Sequence, residues 1–206
     1  MTEPISLEIL VEERSAKQAL DILLPRIVPA VPFEIREFQG KDMLVKELPR
    51  RFAGYAERMR WERLKVVVVV DRDDDDCKDL KRRLEGLAEK AGLSTTASVA
   101  RQVLTRIVIE ELESWFFGDV SALRQAYPRI PSSLGNQAKY RDPDGIGGGT
   151  WEALARLLAK HGYHKPGLAK LQLAKDVATH MDIENNRSQS FQVFRDGVRR
   201  LVSEES

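Results

Sequence analysis

The chain has 206 residues, 42% of them hydrophobic and 32% charged, with 33 Lys plus Arg against 32 Asp plus Glu. Such a length buries a full hydrophobic core without disulfides, and a formal net charge of +1 neither demands a nucleic acid partner nor excludes one, so local patches must decide. Cys77 is the only cysteine, which excludes an intrachain disulfide and a cysteine-rich zinc site and suits a reducing compartment.

Residues 1–13 (MTEPISLEILVEE) carry acidic side chains and lack the basic lead of a signal peptide, and no run approaches the roughly 18 apolar residues of a membrane helix. A soluble, cytoplasmic protein with no membrane partner is expected. Residues 5–11 (ISLEILV) form an apolar segment that predicts a first strand ending at Glu12 and Glu13. Over 15–28, Ala16, Ala19, Leu20, Leu23, Leu24 and Ile27 recur at three- and four-residue spacings, the signature of an amphipathic helix with Ser15 at its start and Pro29 behind it. FEIREF at 33–38 alternates and predicts a short strand; after Gly40, residues 43–59 have a helical pattern despite Pro49 and Gly54.

Five consecutive valines at 66–70 predict a central strand of a parallel sheet, because both faces of such a strand are covered. The strand runs into DRDDDD, and Leu80, Leu84, Leu87 and Ala91 then share one helical face until Gly92. Residues 103–109 predict another strand, followed directly by EELESWFFGD. The alternation of strand and helix over 1–125 predicts an α/β domain with a mostly parallel, Rossmann-like sheet flanked by helices. Residues 128–149 concentrate Pro, Gly, Asp and Asn and predict a long loop. Helices are predicted at 151–160, 168–181 and 190–202, so 126–206 is expected to be a loop and a helical extension packed on the sheet.

Ligands of parallel α/β sheets bind at the carboxyl ends of the strands. Three such ends here are acidic: Glu12 and Glu13, then Asp71 and Asp73, then 110–113. Gathered carboxylates repel one another, and a divalent cation removes that penalty; oxygen-only donors select Mg²⁺ or Mn²⁺ over zinc. Asp71 and Asp73 share one side of the chain as long as it stays extended. Asp74 to Asp76 are better explained as a helix-capping turn, and the carboxylates around Cys77 disfavour a reactive thiolate. Glu110 and Glu113 fall on one helical face, while Trp115, Phe116 and Phe117 are expected to pack in the core.

Taken together, LVEE, VVVVVDRDDDDC, IEELESWFFGD, YHKP and NRSQSFQVF, in that order, resemble the bacterial family known as domain of unknown function 4276. The Glu after a first strand and the strand ending in Asp-x-Asp resemble the Toprim domain of topoisomerases, primases and overcoming-lysogenization-defect nucleases. The resemblance implies a Toprim-like fold, with Glu12 as the conserved glutamate, Asp71 and Asp73 as metal-binding aspartates, and Glu113 as a further acidic residue of the site. It implies Mg²⁺- or Mn²⁺-dependent phosphoryl transfer on DNA or RNA, and places Lys165, Ser190 and Phe191 in the family's C-terminal part. Members are often encoded beside an AAA or ABC-type ATPase resembling those of phage-defence systems, which implies such a partner. Where the Toprim glutamate is commonly followed by glycine, this chain has Glu13, whose side chain crowds the approach of a phosphate backbone.

The reaction expected is phosphodiester hydrolysis, with Asp71, Asp73 and Glu113 holding an ion and Glu12 holding a second or taking a proton from water. Lys139, Arg141, His161, His164 and Lys165 are candidates to neutralise the substrate. Gly147 to Gly149 is no P-loop, since no Gly-Lys-Ser/Thr follows. A second expectation is a non-catalytic regulatory subunit that binds an ATPase partner. A third, an Asp71 nucleophile, would need a hydroxyl residue at a later strand end, a pattern that Thr105 and Ser114 do not clearly supply. Self-association is left open by the sequence.

Overall fold

A computed structural model describes residues 4–73, 75–96, 100–109, 111–163 and 170–203. Four strands, β1 (Ser6–Val11), β2 (Phe33–Glu37), β3 (Leu64–Asp71) and β4 (Val103–Val108), pair in parallel in the order β2-β1-β3-β4. The predicted class is therefore the observed one: a parallel, Rossmann-like sheet between helices. The first three connections are the helices α1 (Arg14–Ile27), α2 (Lys41–Arg58) and α3 (Cys77–Lys90).

The side-chain period of two explains how the sheet is covered. Leu7, Ile9, Val11, Val67 and Val69 face one core together with Leu20, Leu23 and Leu24 of α1. Leu10, Val66, Val68 and Val70 face the other, against Leu44, Leu48 and Phe52 of α2 and Leu80 and Leu84 of α3. The valine run is thus buried on both faces and sits in an inner strand, as its lack of alternation predicts. Gly92, at φ +79°, follows α3 in the left-handed conformation that glycine adopts without a steric penalty. Pro49 lies inside α2, where burial of the helix's apolar face outweighs its lost hydrogen bond.

After β4 come α4 (Glu113–Phe117), α5 (Val120–Ala126), α6 (Thr150–Lys160), α7 (Lys170–His180) and α8 (Gln189–Ser203). The 128–149 stretch is more ordered than its composition predicts. It contains three short 3₁₀ turns, and Ile130, Leu134, Tyr140 and Ile146 anchor it in the core. Asp144, in the last of these turns, accepts hydrogen bonds from the amides of Gln189 and Ser190 and the hydroxyls of Ser188 and Ser190. It ties the loop to the start of α8 and satisfies amides that a helix N-terminus leaves free.

The helical extension shares one continuous core with α1 and the sheet. Trp115 is its hub: the indole Nε1 donates to Ser190 Oγ at 3.0 Å, and the ring meets Phe191 edge-on at 5.2 Å and Phe194 at 5.0 Å. Trp115, Phe116 and Phe117 are fully buried, as expected. Ser190 and Phe191 hold the extension to α4. Asn186 fixes the same junction, donating to the Trp115 carbonyl at 2.8 Å. A Cβ on Gly118 would overlap Asn186 Oδ1 and lie 2.8 Å from the Ser188 amide. Gly118→Ala is therefore expected to destabilise the whole fold by about 1–3 kcal/mol through overpacking, in a single cooperative transition. Urea denaturation followed by tryptophan fluorescence and circular dichroism checks this. Separate transitions for the two signals would contradict a shared core.

Candidate active site at the carboxyl ends of the strands

A sheet ordered β2-β1-β3-β4 reverses its direction of winding between β1 and β3, and the crevice outside the carboxyl ends at that point is the place where such folds bind ligands. Glu12 and Glu13 leave β1 there, and Asp71 ends β3 beside them. Glu12 Oε1 accepts the Asp71 amide at 2.6 Å, which locks the two strand ends together. Burial pushes the Glu12 carboxyl up to about 7, against the pull of the Asp71 amide and Lys41, with Asp73 and Glu13 adding repulsion. Asp71 is held well above the ordinary carboxylate range by burial and by the neighbouring Glu12, Glu113 and Glu13 charges.

Glu113 opens α4 and has no exposed surface. Among the described residues neither of its carboxylate oxygens has a hydrogen-bond partner, an arrangement that costs the full desolvation of an acceptor. Burial raises its carboxyl to about 7, partly offset by Lys170. Lys170, the first residue of α7, places Nζ 2.7 Å from Glu13 Oε1 and 3.7 Å from Glu113 Oε1. Burial opposes its ammonium, but Glu113 and Glu13 outweigh that and hold it firmly protonated. The structure thus draws Glu12, Glu13, Asp71, Glu113 and Lys170 into one neighbourhood. Next to it is a cleft of about 610 Å³ lined by Glu13, Phe38, Gly40, Lys170 and Leu171 among others.

Asp73 is placed differently. The chain leaves the extended conformation after Asp71, and Asp73 has φ +49°, so the two-residue spacing no longer puts both carboxylates on one side. Its exposed side chain pairs with Lys41 at 2.7 Å; Lys41 also reaches Asp75 at 2.8 Å and the Arg72 carbonyl at 3.1 Å. Burial opposes the Lys41 ammonium, but Asp73 and Asp75 more than compensate and raise its pKa. Asp76 caps α3, accepting from the Lys78 and Asp79 amides. Glu111 accepts from Thr150 Oγ1 at 3.1 Å and the Trp151 amide at 2.9 Å, which fixes the start of α6.

Asp74, Glu110, His164 and Lys165 lie outside the described residues. Lys139 sits over the Tyr140 ring and Arg141 reaches the Asn136 carbonyl; among the described residues neither is ion-paired with a strand-end carboxylate. His161 closes α6 as its C-cap. Thr105 lies within β4, opposite Val68, rather than at a strand end. The two site lysines escaped sequence reasoning. Lys41 had a signal, since it follows the break after the second strand; Lys170 had none, because its role depends on the long-range docking of α7.

The donor chemistry fits a hard divalent cation: carboxylate oxygens only, the two of Glu113 buried with no hydrogen-bond partner among the described residues. Among the described residues no three His, Cys, Asp or Glu side chains already converge as a ligand set; the positive charge within reach of Glu13 and Glu113 is the Lys170 ammonium. Also among the described residues, no helix is long and apolar enough to cross a membrane.

The family model described as domain of unknown function (DUF4276) matches residues 11–199, a span that takes in both the strand-end carboxylates and the helical extension. No curated protein and no solved structure matches.

The raised Glu113 pKa has a definite sign for stability. Between about 4.5 and 7 the folded state keeps a proton that the unfolded state releases, so stability is lost as pH rises through that window. The difference corresponds to about 3 kcal/mol above pH 7. Glu113→Gln is therefore expected to raise the Tm at pH 8 and change it little at pH 5, by thermal denaturation in EDTA. Equal effects at both pH values would remove the ionisation argument.

Proposed function

We propose that this chain, which belongs to the family described as domain of unknown function (DUF4276), is a Toprim-like, Mg²⁺- or Mn²⁺-dependent nuclease that hydrolyses phosphodiesters in DNA or RNA. The observation that carries the reading is Glu113: a fully buried carboxylate whose two oxygens have no hydrogen-bond partner among the described residues, beside the Glu12–Asp71 contact at the winding reversal of the sheet. Structural carboxylates are normally hydrogen-bonded when buried; perturbed ones in a crevice mark sites of chemistry.

In this reading Asp71 and Glu113 would hold the ion, with Glu12 beside them. When bound, it would supply polarisation of the phosphoryl group and a water of lowered pKa. Glu12 Oε1 is anchored by the Asp71 amide, which leaves Oε2 to receive the proton of the attacking water. A carboxyl raised to about 7 suits a general base near neutral pH. Asp73 is held by Lys41 and would join the ligands only after exchanging that partner. Lys170 orients Glu13 and Glu113 and supplies positive charge at the cleft, where a phosphate oxygen would otherwise meet only carboxylates. This offsets the effect of having Glu13 where the Toprim pattern has glycine.

A second reading has one observation in its favour. Lys170 already neutralises part of the cluster, as it would in a non-catalytic subunit that binds an AAA or ABC-type ATPase without metal.

Calorimetric titration of Mn²⁺ separates the two. Wild type is expected to bind, and Asp71→Asn to lose binding while remaining folded. Under the nuclease reading, Glu12→Gln would lower metal-dependent cleavage of single- and double-stranded DNA and RNA by roughly 10²–10⁴-fold. The wild-type activity would rise with pH as the Glu12 carboxyl near 7 ionises. A folded wild type that binds no Mn²⁺ would sink the nuclease reading in favour of the subunit.

A further inference from the structure

Away from the carboxylate cluster, α2 carries a concentration of guanidinium groups that the proposed chemistry does not use. Between Lys46 and Arg63 six basic side chains face three acidic ones. A cleft of about 230 Å³ on this helix is lined by Arg36, Arg50, Arg51, Gly54, Tyr55 and Arg58. Arg50, Gly54 and Arg58 succeed one another at four-residue spacing and so lie along one ridge. No atom lies within 4 Å of a Cβ at Gly54, so the lack of a side chain there keeps the cleft open between the two arginines.

The arginines divide into a fixed pair and an available pair. Glu8, a buried carboxylate on β1, accepts from Arg36 Nε at 2.9 Å, Arg58 Nη1 at 2.5 Å and the Tyr55 hydroxyl at 3.1 Å. It holds both guanidiniums in place, and Glu34 and Glu62 complete their pairing. Arg50 is different: its side chain is 89% exposed and approaches Glu47 only at 4.0 Å. Arg51 lies 5.9 Å from the Phe38 ring centroid and has no carboxylate partner among the described residues. Arg50 and Arg51 are thus free to meet an external anion, beside an ion-paired wall that Glu8 holds rigid.

A second, independent feature lies within one turn of Arg58. Trp61 follows the end of α2, its amide on the Arg58 carbonyl at 3.0 Å, and it is 79% exposed, the most exposed large hydrophobic residue among those described. An exposed indole beside guanidiniums combines a stacking face with phosphate-binding charge, the pairing by which proteins hold single-stranded nucleic acid. An acidic peptide would use the arginines but has no need of the indole.

We propose that the outer surface of α2, from Arg50 and Arg51 to Trp61, binds single-stranded nucleic acid, with the arginines on backbone phosphates and Trp61 under a base. The helix starts at Lys41, which is paired with Asp73, and its 18 residues extend about 27 Å. A strand bound along it therefore points at the carboxylate crevice from an anchor at the opposite end of the sheet. Binding at this surface requires no metal and does not depend on the nuclease reading.

The test is fluorescence anisotropy of a labelled oligothymidylate of about 20 nucleotides, with the full chain in EDTA and an Asp71→Asn background to prevent cleavage. Arg50→Glu/Arg51→Glu is expected to weaken binding at least tenfold and to reduce the slope of log K against log salt by about 1.4, the value for two phosphate contacts on a single strand. Trp61→Ala is expected to weaken binding about 5- to 100-fold, the cost of one lost stack, without changing that slope. All these side chains are at the surface, and circular dichroism verifies that the variants fold. Absence of wild-type binding at about 50 mM salt, or wild-type affinity in both variants, overturns the proposal. Displacement of the oligonucleotide by polyglutamate at equal charge, with no effect of Trp61→Ala, overturns it in favour of an acidic protein partner. A metal titration that fails while this binding persists would reject the nuclease reading alone.

Discussion

The repulsion among carboxylates at the β1/β3 reversal is the constraint around which the rest of the structure is arranged. A unit-charge pair at about 4 Å is worth about 4 kcal/mol at the effective dielectric of a protein surface, while withdrawing a carboxylate from water costs several kcal/mol even after relaxation. Lys170, at 3.7 Å from Glu113, is thus of the right size to offset one buried charge. It cannot also satisfy Glu12 and Asp71, and the raised Glu12, Asp71 and Glu113 carboxyls express that shortfall. The cluster persists because every member is fixed by an element with its own reasons to be there: β1 and β3 by apolar pairing, α4 by Trp115, and α7 by docking on α1.

That last point makes the helical extension part of the site. Glu113 is buried because α4 is pinned beneath Phe191, Phe194 and Ser190 of α8, and Lys170 reaches the carboxylates because α7 shares the α1 core. Asp144 joins the 128–149 stretch to the same helix N-terminus. Removing the extension would expose the apolar side of α1 and take away the cluster's cation together. The family match over residues 11–199 is what such interdependence predicts, since neither half forms the crevice alone.

Sequence periodicity revealed nearly all of the fold, for a physical reason. Each strand and long helix has one dominant local signal, such as the unbroken valines of β3 or the Leu80, Leu84 spacing of α3, and burial acts on those patterns directly. The 128–149 stretch carries no such signal, because its anchors, Ile130, Leu134, Tyr140 and Ile146, are spaced too irregularly to register as a face. The site was legible in part. Glu12, Asp71 and Glu113 follow apolar runs, so their strand-end position could be read. The orientation of Asp73 could not, because it depends on one left-handed residue and on Lys41 across the crevice. Lys170 is set by tertiary docking that leaves no mark in local sequence.

The placement of the two lysines bears on how the crevice would accept a ligand. Lys41 ties Asp73 and Asp75 outward, and Lys170 draws Glu13 and Glu113 inward, so among the described residues each of these two carboxylate pairs has an ammonium within reach. A divalent cation would bring twice the charge to the same oxygens and would free both ammonium groups for anions. A phosphate would supply those anions, so metal and polyanion would each lower the cost of binding the other. An acidic crevice with its own lysines is thereby suited to bind each component more tightly in the presence of the other, a coupling that arises from charge balance without a change of fold.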